Sequence, residues 1–137
     1  IAGGIDPGEA CAFAAELKAR GCHYADVTSG GIALNAKIEV GPGYQVPFAE
    51  AVRTGAGIPV WSVGLIVTPE QAEHIVASGQ ADMVALARTV LDDPHWAWHA
   101  AHALGAEVER PPQYARAAPK YWPGAGYRLD AIKAAAE

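Results

Sequence analysis

Apolar positions along the chain switch between two spacings. Ala10, Phe13, Ala14 and Leu17 recur at i, i+3, i+4 and i+7, one stripe of a helical period. This predicts a helix over 7–20, with Pro7 in its first turn and Gly21 as its stop. Tyr24 to Thr28 (YADVT) is short, rich in strand formers and closed by Ser29-Gly30-Gly31, which predicts a strand. Residues 32–46 read as a loop broken by Gly41-Pro42-Gly43. A second helix is expected from near Pro47 to near Gly55, then a strand over Val60 to Val63, closed by Gly64. Thr68-Pro69-Glu70-Gln71 reads as a helix start, with Thr68 as cap, Pro69 first in the helix and Gln71 completing a capping box. Ala72, Ile75 and Val76 give that helix its apolar face, and Gly79 ends it. Met83 to Leu86 (MVAL) is apolar throughout, which predicts a strand buried on both faces. Ala87-Arg88 follows at once. Short helices are expected over about 88–92 and 94–104. The chain is then Pro-rich from Gly105 to Gly126, with a last helix from Arg128 to Ala136.

Short apolar strands alternating with amphipathic helices predict an α/β fold with a parallel sheet and right-handed crossovers. Three strands cannot close a barrel, which takes about 250 residues, and they leave two open edges. Either the domain is a small open α/β unit, or it is part of a barrel completed by another chain. The 137 residues, 51% hydrophobic and 18% charged, suffice for one small core and are too apolar for disorder. Fifteen acidic against ten basic residues, a net charge of -5, argue against nucleic acid as a partner. No apolar run is long enough to span a membrane. Cys11 and Cys22 form no C-x-x-C and fit a reduced, cytoplasmic chain. Ile1 to Asp6 has no signal-peptide pattern. A start at Ile1, without Met and in a Gly-rich turn, suggests a fragment or a processed chain.

Candidate chemistry gathers just after each strand, at Ser29-Gly30-Gly31, Val63-Gly64 and Ala87-Arg88. Parallel α/β folds bind ligands at the carboxyl ends of their strands. Glycines there let backbone N–H groups approach an anion, and an Arg adds a bidentate clamp. A phosphate-bearing ligand at Gly64 and Ala87-Arg88 is one reading; ordinary turn glycines and a surface Arg are the other. No G-x-G-x-x-G or P-loop Lys is present, so neither a Rossmann nor a Walker site is supported. His95, His99 and His102 share one helix face at i, i+4 and i+7. That spacing could hold a metal, but a half-solvated helix face is the preferred reading.

Several ordered runs resemble the Old Yellow Enzyme family. They are Ala25-Asp26-Val27-Thr28-Ser29-Gly30-Gly31, Pro42-Gly43-Tyr44-Gln45-Val46-Pro47-Phe48-Ala49-Glu50, Val63-Gly64-Leu65-Ile66, Ala81 through Arg88 (ADMVALAR) and Asp93-Pro94-His95-Trp96. Gln113-Tyr114-Ala115-Arg116 resembles the bacterial thermophilic-like branch that includes xenobiotic reductases. The resemblance covers about Gly3 to Arg116. It implies a TIM (β/α)8 barrel that binds FMN and reduces activated alkenes with NAD(P)H. The three strands would be strands six to eight, so the chain would be the C-terminal portion of that barrel. Residues 1–109 would form three βα units and 110–137 a tail reaching a neighbouring subunit.

By this resemblance Val63, Gly64, Ala87 and Arg88 sit at the FMN phosphate, and Ser29 lies near the flavin's end of its strand. Many family members have Gly where this chain has Ala87. Arg116 would enter a neighbouring subunit's substrate site; a solvated tail Arg is the alternative. Trp122 would pack on its own barrel rather than line that pocket. The family's substrate-anchoring histidine pair and proton-donating Tyr lie on earlier strands, so no catalytic residue is expected in this chain. Activity would then require the missing N-terminal barrel part. An inactive partial barrel serving as a structural or oligomerising module, and an unrelated sugar-phosphate barrel segment, are the competing readings.

Overall fold

The computed structural model describes residues 3–33 and 36–134. In chain order the elements are α1 (Pro7–Ala19), β1 (Ala25–Val27), α2 (Val46–Ala56), β2 (Val60–Ser62), α3 (Pro69–Ala77), β3 (Met83–Val84), α4 (Arg88–Asp92), α5 (Trp96–Ala103), a 3-10 turn (Pro112–Ala117) and α6 (Gly124–Ala134). They form two compact units, 1–94 and 95–137. The sequence reading divides the chain after 109; packing groups α5 with the tail. Among the described residues no helix is long and apolar enough to cross a membrane.

The three strands are parallel in the order β1-β2-β3. Ala25, Asp26 and Val27 pair with Val60, Trp61 and Ser62, and Trp61 and Ser62 with Met83 and Val84. With the right-handed crossovers that parallel strands follow as a rule, a strand order that never reverses keeps α2 and α3 on one face of the sheet. A doubly wound sheet would reverse its order. Strand alternation puts Val60 and Ser62 on one face, both fully buried. Trp61 points to the other face, where Tyr24 stacks on it at 5.3 Å. Ala49 and Val52 of α2 and Ala72 and Ile75 of α3, with Ile58, Ile66 and Ala81, complete the core. Met83 and Val84 are only half-buried, not buried on both faces as expected. Among the described residues β3 has β2 as its one strand neighbour, which leaves part of its surface uncovered by them.

Helix ends follow local chemistry, with two departures from expectation. At α1 the Glu9 N–H donates to Asp6 Oδ1 at 2.9 Å and the Asp6 N–H donates to Glu9 Oε2 at 3.0 Å. This reciprocal cap contributes about 1 kcal/mol. At α3 the Gln71 N–H donates to Thr68 Oγ1 at 3.2 Å as expected. The Gln71 side chain, however, passes the cap: its Oε1 accepts from Val67 N–H at 3.0 Å and its Nε2 donates to Leu65 O at 3.1 Å. It closes the preceding loop instead of a capping box. Helix α2 runs through Gly55 and ends at Gly57, which adopts a left-handed φ of 61°.

Gly55 serves packing, not termination. A Cβ there would lie 2.8 Å from Cys11 Sγ, so the absent side chain lets α1 settle onto α2. The Cys11 thiol donates to Ala51 O at 3.3 Å and Lys18 Nζ to Gly57 O at 2.6 Å. The face of α1 toward α2 therefore carries Cys11, Ala14 and Lys18. Phe13, expected in the apolar stripe, is 64% exposed.

In the second unit His95 stacks on Trp98 at 4.6 Å, and Trp98 meets Tyr114 at 5.6 Å. The Arg110 guanidinium lies 4.6 Å over the Trp98 ring, and its Nη1 donates to Ala117 O at 2.7 Å. These contacts fasten α5 to the 3-10 turn, a turn the Pro-rich reading did not anticipate. Helix α6 starts four residues before the expected Arg128; residues 135 and 136 lie outside the described residues.

Candidate functional site at the strand carboxyl ends

The three expected strand-end positions belong to one unit, and polar side chains tie their loops together. Gln45, the residue before α2, is 3% exposed. Its Oε1 accepts from Thr28 Oγ1 at 3.1 Å and from the Ser29 N–H. Gln45 thus fastens the end of β1 to the start of α2. The same amide lies against Gly64. A Cβ on Gly64 would fall 2.9 Å from Tyr44 Cε1 and 3.0 Å from Gln45 Nε2, and Gly64 has a φ of 110°. Glycine is required here by backbone torsion and by the chain's own side chains.

Leu65 follows with a φ of 48°, a left-handed conformation that costs a non-glycine residue roughly 1–2 kcal/mol. The contacts around it hold it there. Gln71 bonds Leu65 O and Val67 N–H, and the Thr89 hydroxyl donates to Ile66 O at 3.0 Å. That last bond joins the loop after β2 to α4, which follows β3. Gly64, Ala87 and Arg88 are thereby carried on two fastened loops. Val63 lies just beyond β2 and is half-buried.

Ala87 and Arg88 are exposed. Among the described residues Arg88 pairs with no carboxylate. Ala87 has φ -113° and ψ -83°, a pair outside the main helical and extended regions. Ser29 already commits its N–H to Gln45, so its hydroxyl is the group left for a ligand. Sequence reasoning quoted Gln45 within a motif and gave it no role. The signal that could have found it is a polar residue at the edge of the apolar α2 segment.

The opposite end of the sheet is built differently. Arg53 Nε and Nη2 donate to Asp82 Oδ2 and Oδ1 at 3.0 and 3.1 Å, and Val60 N–H donates to Oδ2 at 2.9 Å. The hydrogen-bonded Arg53 guanidinium holds the Asp82 carboxyl below its ordinary range; the Val60 N–H adds to this and desolvation opposes it. Asp82 in turn raises Arg53. This clamp ties α2, β2 and the start of β3, and it belongs to stability.

Arg116 lies in the second unit, on the 3-10 turn. It is exposed and shares a shallow recess with Pro112, Ala115, Tyr121 and Trp122. Trp122 packs over Gly124 of α6, where a Cβ would meet its ring at 2.6 Å. His95 precedes α5 and lies 6.5 Å from His99, ring to ring. Among the described residues no cluster of three His, Cys, Asp or Glu side chains converges on a metal position.

Comparison with known proteins shows the family of the chain. Residues 3–107 match the NADH:flavin oxidoreductase / NADH oxidase family. An NADPH dehydrogenase of Geobacillus thermodenitrificans is 46% identical over 104 residues, 76% of this chain and 30% of that protein. One from Listeria innocua is 44% identical over 115 residues, 84% of this chain and 34% of that protein. The chain spans about a third of the length of the curated relatives it matches. With a match over most of its length and relatives near 45% identity, the chain belongs to the NADH:flavin oxidoreductase / NADH oxidase family, the Old Yellow Enzyme family.

Proposed function

We propose that this chain supplies the FMN phosphate site of an NAD(P)H-dependent oxidoreductase that reduces activated C=C bonds. In this reading it is the C-terminal part of a TIM barrel, with β1, β2 and β3 as strands six to eight. The unreversed parallel order is what such an arc requires. The observation that carries the reading is the Thr89–Ile66 bond, which fastens the Gly64 loop to Ala87-Arg88. An exposed Arg paired with no carboxylate among the described residues, beside loops at the carboxyl ends of parallel strands, suits a phosphate dianion.

The residues fit the group. The Arg88 guanidinium would clamp the phosphate, and backbone N–H groups of Gly64 and Ala87 would donate to it. Ser29 would add its hydroxyl. FMN, when bound, supplies hydride transfer from NAD(P)H to the alkene's β-carbon, while the other carbon takes a proton. This chain's share is binding and orientation, and it holds no catalytic residue of its own. Arg116 would complete a neighbouring subunit's substrate site through the tail. The rest of the barrel would come from an N-terminal partner segment, in the cytoplasm.

Native mass spectrometry tests this reading. The chain is co-expressed with the N-terminal two-thirds of the Geobacillus relative. A complex of both segments carrying FMN supports it. This chain alone, or its homodimer without flavin, contradicts it and favours a purely structural module.

A further inference from the structure

Gln45 has an amide whose two ends are treated differently. Its oxygen accepts from Thr28 Oγ1 and from the Ser29 N–H. A backbone N–H can only donate, so the amide orientation is fixed and the NH2 must face away from β1. It faces Gly64, where a Cβ would stand 3.0 Å from Nε2. Among the described residues no oxygen accepts from that Nε2, although the residue is 3% exposed. That nitrogen is not one of the buried side-chain atoms left without a partner, so it meets solvent beside Gly64 in a fixed orientation and can donate to a bound group there. Gly64 lies on the loop that Thr89 fastens to Ala87-Arg88, where the anion of the proposed function would sit.

We infer that the Gln45 amide N–H2 donates to a phosphate oxygen of the bound flavin nucleotide, making Gln45 a ligand-binding residue beside Gly64 and Arg88. The inference rests on the proposed FMN site and adds one residue to it. It also explains why an amide, and not an apolar side chain, occupies a nearly buried position at the edge of the α2 core. The oxygen end secures the β1 loop, and the nitrogen end reads the ligand.

Gln45→Glu separates the two ends. A carboxylate oxygen still accepts from Thr28 and Ser29, while the donor becomes a second anionic oxygen. FMN and riboflavin affinities are measured by flavin fluorescence on the assembled two-segment protein, with unfolding midpoints recorded alongside. The expected result is an FMN affinity at least tenfold weaker at pH 8, with the midpoint nearly unchanged. The loss relative to the parent protein should shrink at about pH 5, where a protonated Glu regains a donor, and riboflavin affinity should be unaffected. Equal FMN affinity of variant and parent at pH 8, or an equal loss for riboflavin, overturns the inference. Failure of the parent protein itself to bind FMN refutes the proposed function instead, so the two failures are distinct.

Discussion

The Thr89 hydroxyl donates to the Ile66 carbonyl at 3.0 Å, fastening the loop that leaves β2 to the helix that follows β3. One neutral hydrogen bond thus sets the spacing of two strand ends without placing a charge among them. Thr89→Val keeps the shape and removes the donor. It should lower stability by about 1 kcal/mol and weaken FMN binding several-fold in the assembled protein. Urea unfolding and a flavin titration measure both. An unchanged titration would mean that the two loops hold their positions without this bond.

Gly64 is the position least open to change. A side chain there meets the φ of 110° and the Tyr44 and Gln45 side chains together. Gly64→Ala should destabilise the first unit by about 2–4 kcal/mol, from left-handed strain and overpacking combined. A urea midpoint equal to that of the parent protein would contradict this geometry.

Gly55 predicts a coupled pair. Gly55→Ala brings a methyl toward Cys11 Sγ, 2.8 Å from the Cβ position, and separates α1 from α2. The gain in helix propensity, about 1 kcal/mol, only partly offsets this. Adding Cys11→Ala removes the 2.8 Å contact and leaves the one to its Cβ at 3.1 Å, so the double variant should be more stable than the sum of the single changes. A double-mutant cycle with zero coupling would show that α1 does not pack as closely as described.

How much of this was legible in the sequence differs by element. Thr68-Pro69 and Gly79 mark the limits of α3 because capping is decided within a few residues. The three strands and their order of appearance follow from short apolar runs between turn residues. Gly55 and Gly57 could not be told apart locally: one serves a contact with Cys11, 44 positions earlier in the chain, and the other a left-handed cap. Phe13 fits the stripe of α1, yet the helix turns Cys11, Ala14 and Lys18 toward α2. At the candidate site, Gly64, Ala87 and Arg88 stood out through their place after strands. Gln45, Thr89 and Gln71, which hold those loops, did not. Their partners are set by tertiary approach, and an amide or hydroxyl in a loop carries no local mark of such a role.

The Arg53–Asp82 clamp makes acid stability testable. The Asp82 carboxyl lies below its unfolded value of 3.8 in the folded chain. Its contribution is therefore complete above that value and is lost as pH falls through the folded value, below about pH 4. Arg53 is raised, so its share is complete throughout the neutral and acidic range. The two side chains are 40% and 31% exposed, and solvent screens the pair. Asp82→Asn should lower stability by about 1–2 kcal/mol at pH 7, chiefly by weakening acceptance from the buried Val60 N–H. It should also flatten the decline in melting temperature between about pH 5 and 3. An identical decline in parent and variant would remove Asp82 from the account of acid unfolding.

The central claim is that Arg88 and the loops beside it hold the phosphate of FMN. The most direct measurement is the FMN dissociation constant of the assembled two-segment protein, parent against Arg88→Ala. A lost charge-assisted clamp should weaken binding about tenfold or more, with riboflavin affinity and the unfolding midpoint nearly unchanged because Arg88 is exposed. An Arg88→Ala protein that binds FMN as tightly as its parent would contradict the account.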